Sequence, residues 1–299
     1  MCGVTVILGI LGDTHLRDTI PRNRVDVDDY YDLQFKKIEQ CLKIFKSQKC
    51  VHIIHCGDMF DFHRVSFQLL LDTIRFFQKH KLKLWGVVGS HDVTGYNIES
   101  LKNSPLGVLI QLGFYGFVDD MEKVLGGIKI KGVNCAIHDS EDNYTNSDLI
   151  VTHNMVLPME KAPFEHIYHK TLDNSSLRCL IVGHYHQPWM SQEKNTLFID
   201  PGATMRMDIN DSFHPGVVIL DTETLKAKRI ELDVEPYEKV FREQKESEDV
   251  LEIGTVELSK VDKQNVEERI MSYAKENGYE DNVIDNAVLR VKKAKETIL

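Results

Sequence analysis

At 299 residues the chain is near the upper size for a single hydrophobic core, which points to one large domain with an appendage. A composition of 42% hydrophobic and 27% charged residues excludes a disordered chain, a collagen and a disulfide mini-scaffold. With 36 Lys and Arg against 46 Asp and Glu, the formal charge of −10 argues against a passive DNA-coating protein. It leaves room for an enzyme that commits carboxylates to cations.

The N-terminal segment is apolar without a basic region and runs straight into Gly12-Asp13-Thr14-His15. It reads as a buried strand, Val4–Leu11, rather than a signal peptide. A helix follows over Asp28–Gln48, then a strand over Val51–Cys56, a helix from Val65 to His80, a strand over Leu82–Val88 and a helix over Ile98–Leu112. Beyond that the texture is strands and turns: Gly113–Val118, Ile128–Lys131, Val133–His138, Asp148–Thr152, Leu180–Val182, Thr196–Asp200, Gly216–Asp221 and Ala227–Asp233. Asn154–Arg178 reads as a long non-periodic insertion, and loops of that length are usually functional. Residues 236–299 are charge-rich and helical in character, separable from a domain over 1–235. No apolar run approaches the ~20 residues of a membrane span, so a soluble, cytoplasmic protein with no membrane partner is expected. Cys2, Cys41, Cys50, Cys56, Cys135 and Cys179 have no CxxC spacing and are expected to be reduced.

Five polar clusters each follow an apolar strand run: Asp13-Thr14-His15, Gly57-Asp58-Met59-Phe60-Asp61, Gly89-Ser90-His91-Asp92, Thr152-His153-Asn154 and Gly183-His184-Tyr185-His186. One such cluster is an ordinary polar strand terminus. Five in order, at the carboxyl ends of strands where open α/β sheets bind ligands, point to one crevice. Imidazole and carboxylate together suit Mn, Fe or Zn, and a shared Asp suits a two-metal site.

This ordered set resembles the D-x-H, G-D-x-x-D, G-N-H-D/E, H and G-H-x-H motifs of the calcineurin-like metallophosphoesterase superfamily, over roughly Val4 to Asp233. The resemblance implies an α/β fold: a four-layer α/β/β/α sandwich of two mixed sheets, here with a short C-terminal helical appendage, and two divalent metal ions between the sheets. Carried over, Asp13, His15 and His186 hold one metal, His153 and His184 the other, and Asp58 bridges both. His91 is then the catalytic histidine and Asp61 orients it. Where the family has a metal-ligating Asn, this chain has Ser90, a poorer oxygen donor; Asn97 and Asn154 are candidates to compensate.

Asp200-Pro201-Gly202-Ala203-Thr204-Met205-Arg206 is similar to the P-G-S/A-x-x-R segment of SbcD-type nucleases, the phosphoesterase subunits of DNA repair and recombination complexes. That resemblance implies an exonuclease and endonuclease activity with Mn²⁺ as the favoured ion (Mg²⁺, Fe²⁺ and Zn²⁺ being alternatives). The partners it implies are DNA, an SbcC-like ABC-type ATPase docked through the C-terminal tail, and a second copy of the chain. The compact length resembles phage-encoded forms, for which the location is the host cytoplasm. Arg17, Arg22 and Arg24, with Arg206, are candidates to hold substrate at the rim, against the plainer reading of a solvated loop. Alternatives on the same fold are a phosphoesterase for a small nucleotide or phosphoprotein, and a degenerate scaffold domain.

Overall fold

The computed structural model describes residues 6–21, 24–25, 29–118, 123–125, 127–135 and 141–241. The start of the first predicted strand, Arg22, Cys2, the 136–138 end of the strand expected over Val133–His138, and the helices expected in the tail lie outside these residues. All of the described residues belong to one unit, Met1–Glu243.

In chain order the first half is β1 (Ile7–Leu11), α1 (Tyr30–Ser47), β2 (His52–His55), α2 (Phe67–His80), β3 (Leu84–Gly86), α3 (Pro105–Gln111) and β4 (Tyr115–Phe117). The second half is β5 (Lys123–Leu125), β6 (Ile128–Val133), β7 (Ser147–Thr152), β8 (Val156–Leu157), β9 (Ile167–Tyr168), β10 (Leu177–Val182), β11 (Trp189–Gln192), β12 (Leu197–Asp200), β13 (Gly216–Asp221), β14 (Lys226–Glu231) and the short α4 (Tyr237–Val240). Two six-stranded mixed sheets result, ordered β14-β13-β1-β2-β3-β4 and β11-β12-β10-β7-β6-β5. The strands β1 to β4 run parallel, as do β6, β7, β10 and β12, so each sheet gathers several strand carboxyl ends on one side.

Side-chain alternation along the strands builds the layers. Leu8 and Ile10 of β1, Ile54 of β2, Leu149 and Val151 of β7, and Cys179 and Ile181 of β10 form one core shared by the two sheets. On the outer face of the first sheet, Leu11 and Leu84 join Ile38, Cys41 and Phe45 of α1 and Leu69 and Phe77 of α2. In α1 these positions recur every three or four residues, and in α2 the buried Thr73 stands midway between Leu69 and Phe77, so each helix buries one stripe. Ser66 caps α2, its hydroxyl accepting from the Leu69 N–H at 3.0 Å.

On the outer face of the second sheet, Ile150, Leu180 and Phe198 meet Tyr144, Val156 and Leu172 from residues 141–178. This outermost layer is built of 3₁₀ turns and the parallel pair β8–β9 rather than a long helix. The expected loop over Asn154–Arg178 thus carries two short strands and a 3₁₀ turn. The single helix expected over Ile98–Leu112 is two: a 3₁₀ helix at Ile98–Asn103, then α3. Ser104, extended at φ −102° and ψ 162°, separates them because Pro105 disfavours a helical residue before it, and its hydroxyl caps Gly107. The strands expected over Ile128–Lys131 and Val133–His138 merge into β6 across Gly132. The five described cysteines are free. No helix among the described residues is long and apolar enough to cross a membrane.

Candidate metal centre

The five polar clusters follow the carboxyl ends of β1, β2, β3, β7 and β10, and their backbones are laced to one another. The N–H groups of Thr14 and His15 both donate to the Asp58 carbonyl, at 3.1 and 3.0 Å. The His91 N–H donates to Asp58 Oδ1 at 2.8 Å, and the His184 N–H to Asp13 Oδ2 at 3.0 Å. His153 Nδ1 donates to the Cys56 carbonyl at 2.7 Å. Gly57 closes this approach, because a Cβ there would lie 2.5 Å from His153 Nδ1. His15, Asp58 and His184 all hold left-handed backbones, at φ 43°, 50° and 81°. Such strain in non-glycine residues persists only where the surroundings enforce it, and it concentrates at functional sites.

Among the described residues the side chains form three groups that could hold cations: Asp13, His15 and His186; Asp58, His153 and His184; and, sharing His15 with the first, His15, Asp61 and His91. His15 Nε2 lies 3.0 Å from His186 Nε2 and 3.7 Å from Asp58 Oδ2, while Asp58 Oδ2 is 3.0 Å from His153 Nε2. Asp58 therefore touches a histidine of each cluster. The close approach of two imidazole nitrogens, His15 Nε2 and His186 Nε2, is what two ligands that would serve one ion require. Asp13 Oδ1 is buried without a hydrogen-bond partner, and His153 Nε2, equally buried, has the Asp58 carboxylate at 3.0 Å as its neighbour. Buried polar atoms are normally paired, and an orphan of this kind suits coordination. The ring partners agree: Nδ1 of His15 faces Asp61 Oδ1 at 3.1 Å, and that of His153 faces a carbonyl, so each leaves Nε2 to a metal. The residues present fit a two-ion centre.

Electrostatics in the crevice are strongly polarised. Burial lifts the Asp13 carboxyl above its usual range, more than the nearby His153 lowers it. Burial also works against ionised Asp58, but His153, His15 and His91 outweigh it and hold Asp58 well below that range. Burial alone would lower His153, yet Asp58 and Asp13 together push it up to about 10. His184 and His186 fall to about 4 and about 3, through burial first and then the charges of His153 and His15 respectively. Without ions, protonated imidazole is what balances the two aspartates.

His91 stands at the mouth, with its side chain 45% exposed and its ring 4.9 Å from that of His15. Its Nδ1 donates to the backbone carbonyl of Asp61 at 2.6 Å, whereas the Asp61 carboxylate is 3.9 Å away and pairs with His15 and with Arg17 at 3.0 Å. The orientation of His91 thus comes from the Asp61 main chain. Ser90 Oγ lies 3.5 Å from Asp58 Oδ2 and lines a cleft of about 350 Å³ with His153, His184 and Asn154. Asn154 donates to the Tyr144 hydroxyl at 3.0 Å; Asn97 caps the 3₁₀ helix by accepting from the Glu99 N–H, which takes it out of the ligand set.

The expected rim arginines are corrected by their partners. Arg206 is buried, with Nε donating to the Phe213 carbonyl at 2.7 Å and Nη1 to that of Glu235 at 3.2 Å, so it clamps the chain after β14 rather than meeting substrate. Arg24 is buried too and donates to the Arg206 carbonyl at 2.7 Å. Arg17 does lie at the rim, committed to Asp61 and to Thr19 Oγ1. The Asp200–Arg206 segment supports the site instead: Thr204 donates its N–H to the Asp13 carbonyl at 2.9 Å, and Ala203 to that of His186 at 3.0 Å. Its close seat depends on Gly12, where a Cβ would come 1.8 Å from the Gly202 carbonyl oxygen.

Asp92 closes the third motif, and the structure supplies its role. Buried, and pushed up to about 7 by burial and by Asp58, it accepts from the N–H groups of Gly89 (3.0 Å) and Phe60 (3.3 Å) and so ties the second loop to the third. Its place directly after His91 in a strand-end cluster was the available signal.

The chain matches the model of the calcineurin-like phosphoesterase superfamily domain over residues 6–225. No curated protein sequence matches it. Among solved structures it is similar to an archaeal phosphodiesterase, at 18% identity over 76% of this chain and 100% of that one, with a TM-score of 0.43. A dimetal phosphatase from Danio rerio is similar at 12% identity over 72% of this chain and 92% of that one, with a TM-score of 0.48. Yfce, a phosphoesterase from E. coli, is similar at 12% identity over 76% of this chain and 100% of that one, with a TM-score of 0.39. With the match running from β1 to the turn before β14, the chain belongs to the calcineurin-like phosphoesterase superfamily.

Proposed function

We propose that this protein is a metal-dependent phosphodiesterase acting on DNA, the nuclease subunit of a complex with an SbcC-like ATPase. The observation that carries the hydrolase reading is the pair of ligand clusters joined at Asp58, with His91 at their mouth. Asp13, His15 and His186 would hold one divalent ion and His153 and His184 the other, with Asp58 shared and Ser90 beside the second. Mn²⁺ suits imidazole and carboxylate together better than Mg²⁺ does. Such ions polarise phosphoryl oxygens and activate water.

The chain's own residues supply orientation and the proton. With Nδ1 held by the Asp61 carbonyl, His91 keeps Nε2 for transfer to the leaving alkoxide of a diester. Asp61 fixes the His15 ring and anchors Arg17 near the mouth. The loop after β12 presses on the backbones of Asp13 and His186 and excludes their drift.

DNA as substrate rests on the Asp200–Arg206 resemblance, since two of the arginines considered for backbone contact are structural. The test is Mn²⁺-loaded protein on linear duplex, single-stranded DNA and a chromogenic diester. Chelator-sensitive DNA cleavage is expected; diester turnover with no DNA cleavage, even beside the ATPase, would overturn the nuclease reading. For residues 236–299 we propose ATPase docking. A truncation should end after residue 243, because Val240 and Phe241 are buried against the catalytic domain and the Val25 N–H donates to the Val240 carbonyl at 2.9 Å. It should retain diester turnover and lose co-purification with the ATPase; retained co-purification would place docking elsewhere.

A further inference from the structure

A second cleft, of about 300 Å³, opens on the other side of Ser90 and His91, and its walls include Phe62, Val93, Gly95 and Tyr96. Phe62 and Tyr96 are 51% and 47% exposed, large aromatic surfaces left to solvent beside the reacting end of the site. Tyr96 is held there against its own preference. Gly95 and Tyr96 have φ 57° and 59°, and the Asn97 N–H closes the turn on the Thr94 carbonyl at 3.0 Å. Positive φ at both central positions marks the type I′ turn, which favours Asn and Gly and penalises a tyrosine. Ser100 staples the turn, its hydroxyl accepting from the Thr94 N–H at 2.9 Å and donating to the Asn97 carbonyl at 2.7 Å. On the opposite wall, the Arg17 guanidinium sits 5.6 Å from the Phe62 ring centroid and steadies that ring.

Resting on the phosphodiesterase reading above, we propose that this cleft is a stacking site for the nucleobase next to the scissile phosphate, with Tyr96 and Phe62 as its aromatic walls. Its volume is at the low end of ligand pockets and suits one planar ring system. Its one carboxylate, Asp61, is occupied by His15 and Arg17, and no lysine or arginine lines it, so its exposed wall is mainly aromatic, with His63 and His91 as the titratable groups left at its edge. Base–aromatic stacking tolerates any base, as a sequence-indifferent hydrolase requires.

Saturation-transfer NMR with thymidine 5′-monophosphate tests the site directly. Thymine protons should receive more saturation than sugar protons, and Phe62→Ala with Tyr96→Ala should weaken binding about tenfold or more. With Mn²⁺-loaded protein, the kcat/KM ratio between a dinucleotide and its abasic counterpart should fall by a similar factor in Tyr96→Ala and be kept in Tyr96→Phe. Tyr96→Asn separates stacking from folding: it should lower that ratio without lowering Tm, because Asn accepts the left-handed turn. Absence of thymine saturation in the unaltered protein, equal binding by the double variant, or saturation by O-phosphotyrosine in place of the nucleotide would each overturn the proposal. Base binding without diester turnover would support the stacking site and overturn the phosphodiesterase reading instead.

Discussion

Asp13, Asp58 and His153 at the strand ends are buried, and so are Arg24 and Arg206 beneath the end of the domain, yet the two groups meet their surroundings in opposite ways. Around Arg206, the guanidinium donates to two backbone carbonyls and lies 5.7 Å from the Tyr237 ring centroid, so a buried charge is spent on joining segments distant in sequence. At the strand ends, Asp13 Oδ1 and His153 Nε2 have no hydrogen-bond partner, two ring nitrogens face each other at 3.0 Å, and three ligand candidates occupy left-handed backbones. Burial without pairing costs stability unless something else completes it. The contrast separates charge kept for structure from charge kept for a ligand, although both look alike as buried polar residues.

The comparison breaks first at Asp58. Replacement by Ala should abolish turnover and uptake of both ions, read by elemental analysis and diester assay, because its Oδ2 approaches Nε2 of a histidine in each cluster; retention of two tightly bound ions would remove its bridging role. His91→Gln should lower kcat by about 10²–10⁴-fold while metal content stays nearly unchanged, as expected for a proton donor rather than a ligand. Loss of metal equal to that of the Asp58 variant would contradict this division. On the structural side, Arg206→Ala should destabilise the fold by about 2–4 kcal/mol, by leaving the Phe213 and Glu235 carbonyls without their donor. Urea denaturation measures it, and kcat of the folded fraction should not change; a selective rise in KM for DNA would restore the substrate role. The smallest effect is Ser90→Asn, where an amide oxygen near Asp58 should tighten the second ion about tenfold by calorimetry. Unchanged or weaker binding would mean another group already fills that position.

Much of the fold was legible because its signals are local. The apolar run of β1 and the three-and-four spacing of α1 from Tyr30 to Phe45 each lie within one segment. The elements that escaped depend on partners far along the chain. The pair β8–β9 is two residues long in each strand, too short to carry a period, and exists because Val156 meets Ile167 over the second sheet. At the site, the residue types and their order were readable from strand-end clusters. The pairing of Asp61 with Arg17 and His15, and the use of its carbonyl rather than its carboxylate on His91, were not.

By itself the amino-acid order determined which side chains capable of metal chemistry follow which strands, because periodicity and strand-end clusters are properties of neighbouring residues; the pair of sheets that carries them was what the family resemblance implied. Tertiary structure alone decided the fate of the arginines. Arg17, Arg24 and Arg206 have the same chemistry on paper, yet one borders the mouth and two are buried clamps, since the acceptors of a guanidinium are fixed only when β1, β12 and the segment after β14 come together. It likewise decided that the Asp200–Arg206 segment braces Asp13 and His186 from behind. A backbone carbonyl becomes a partner through proximity in space, and sequence spacing carries no record of it.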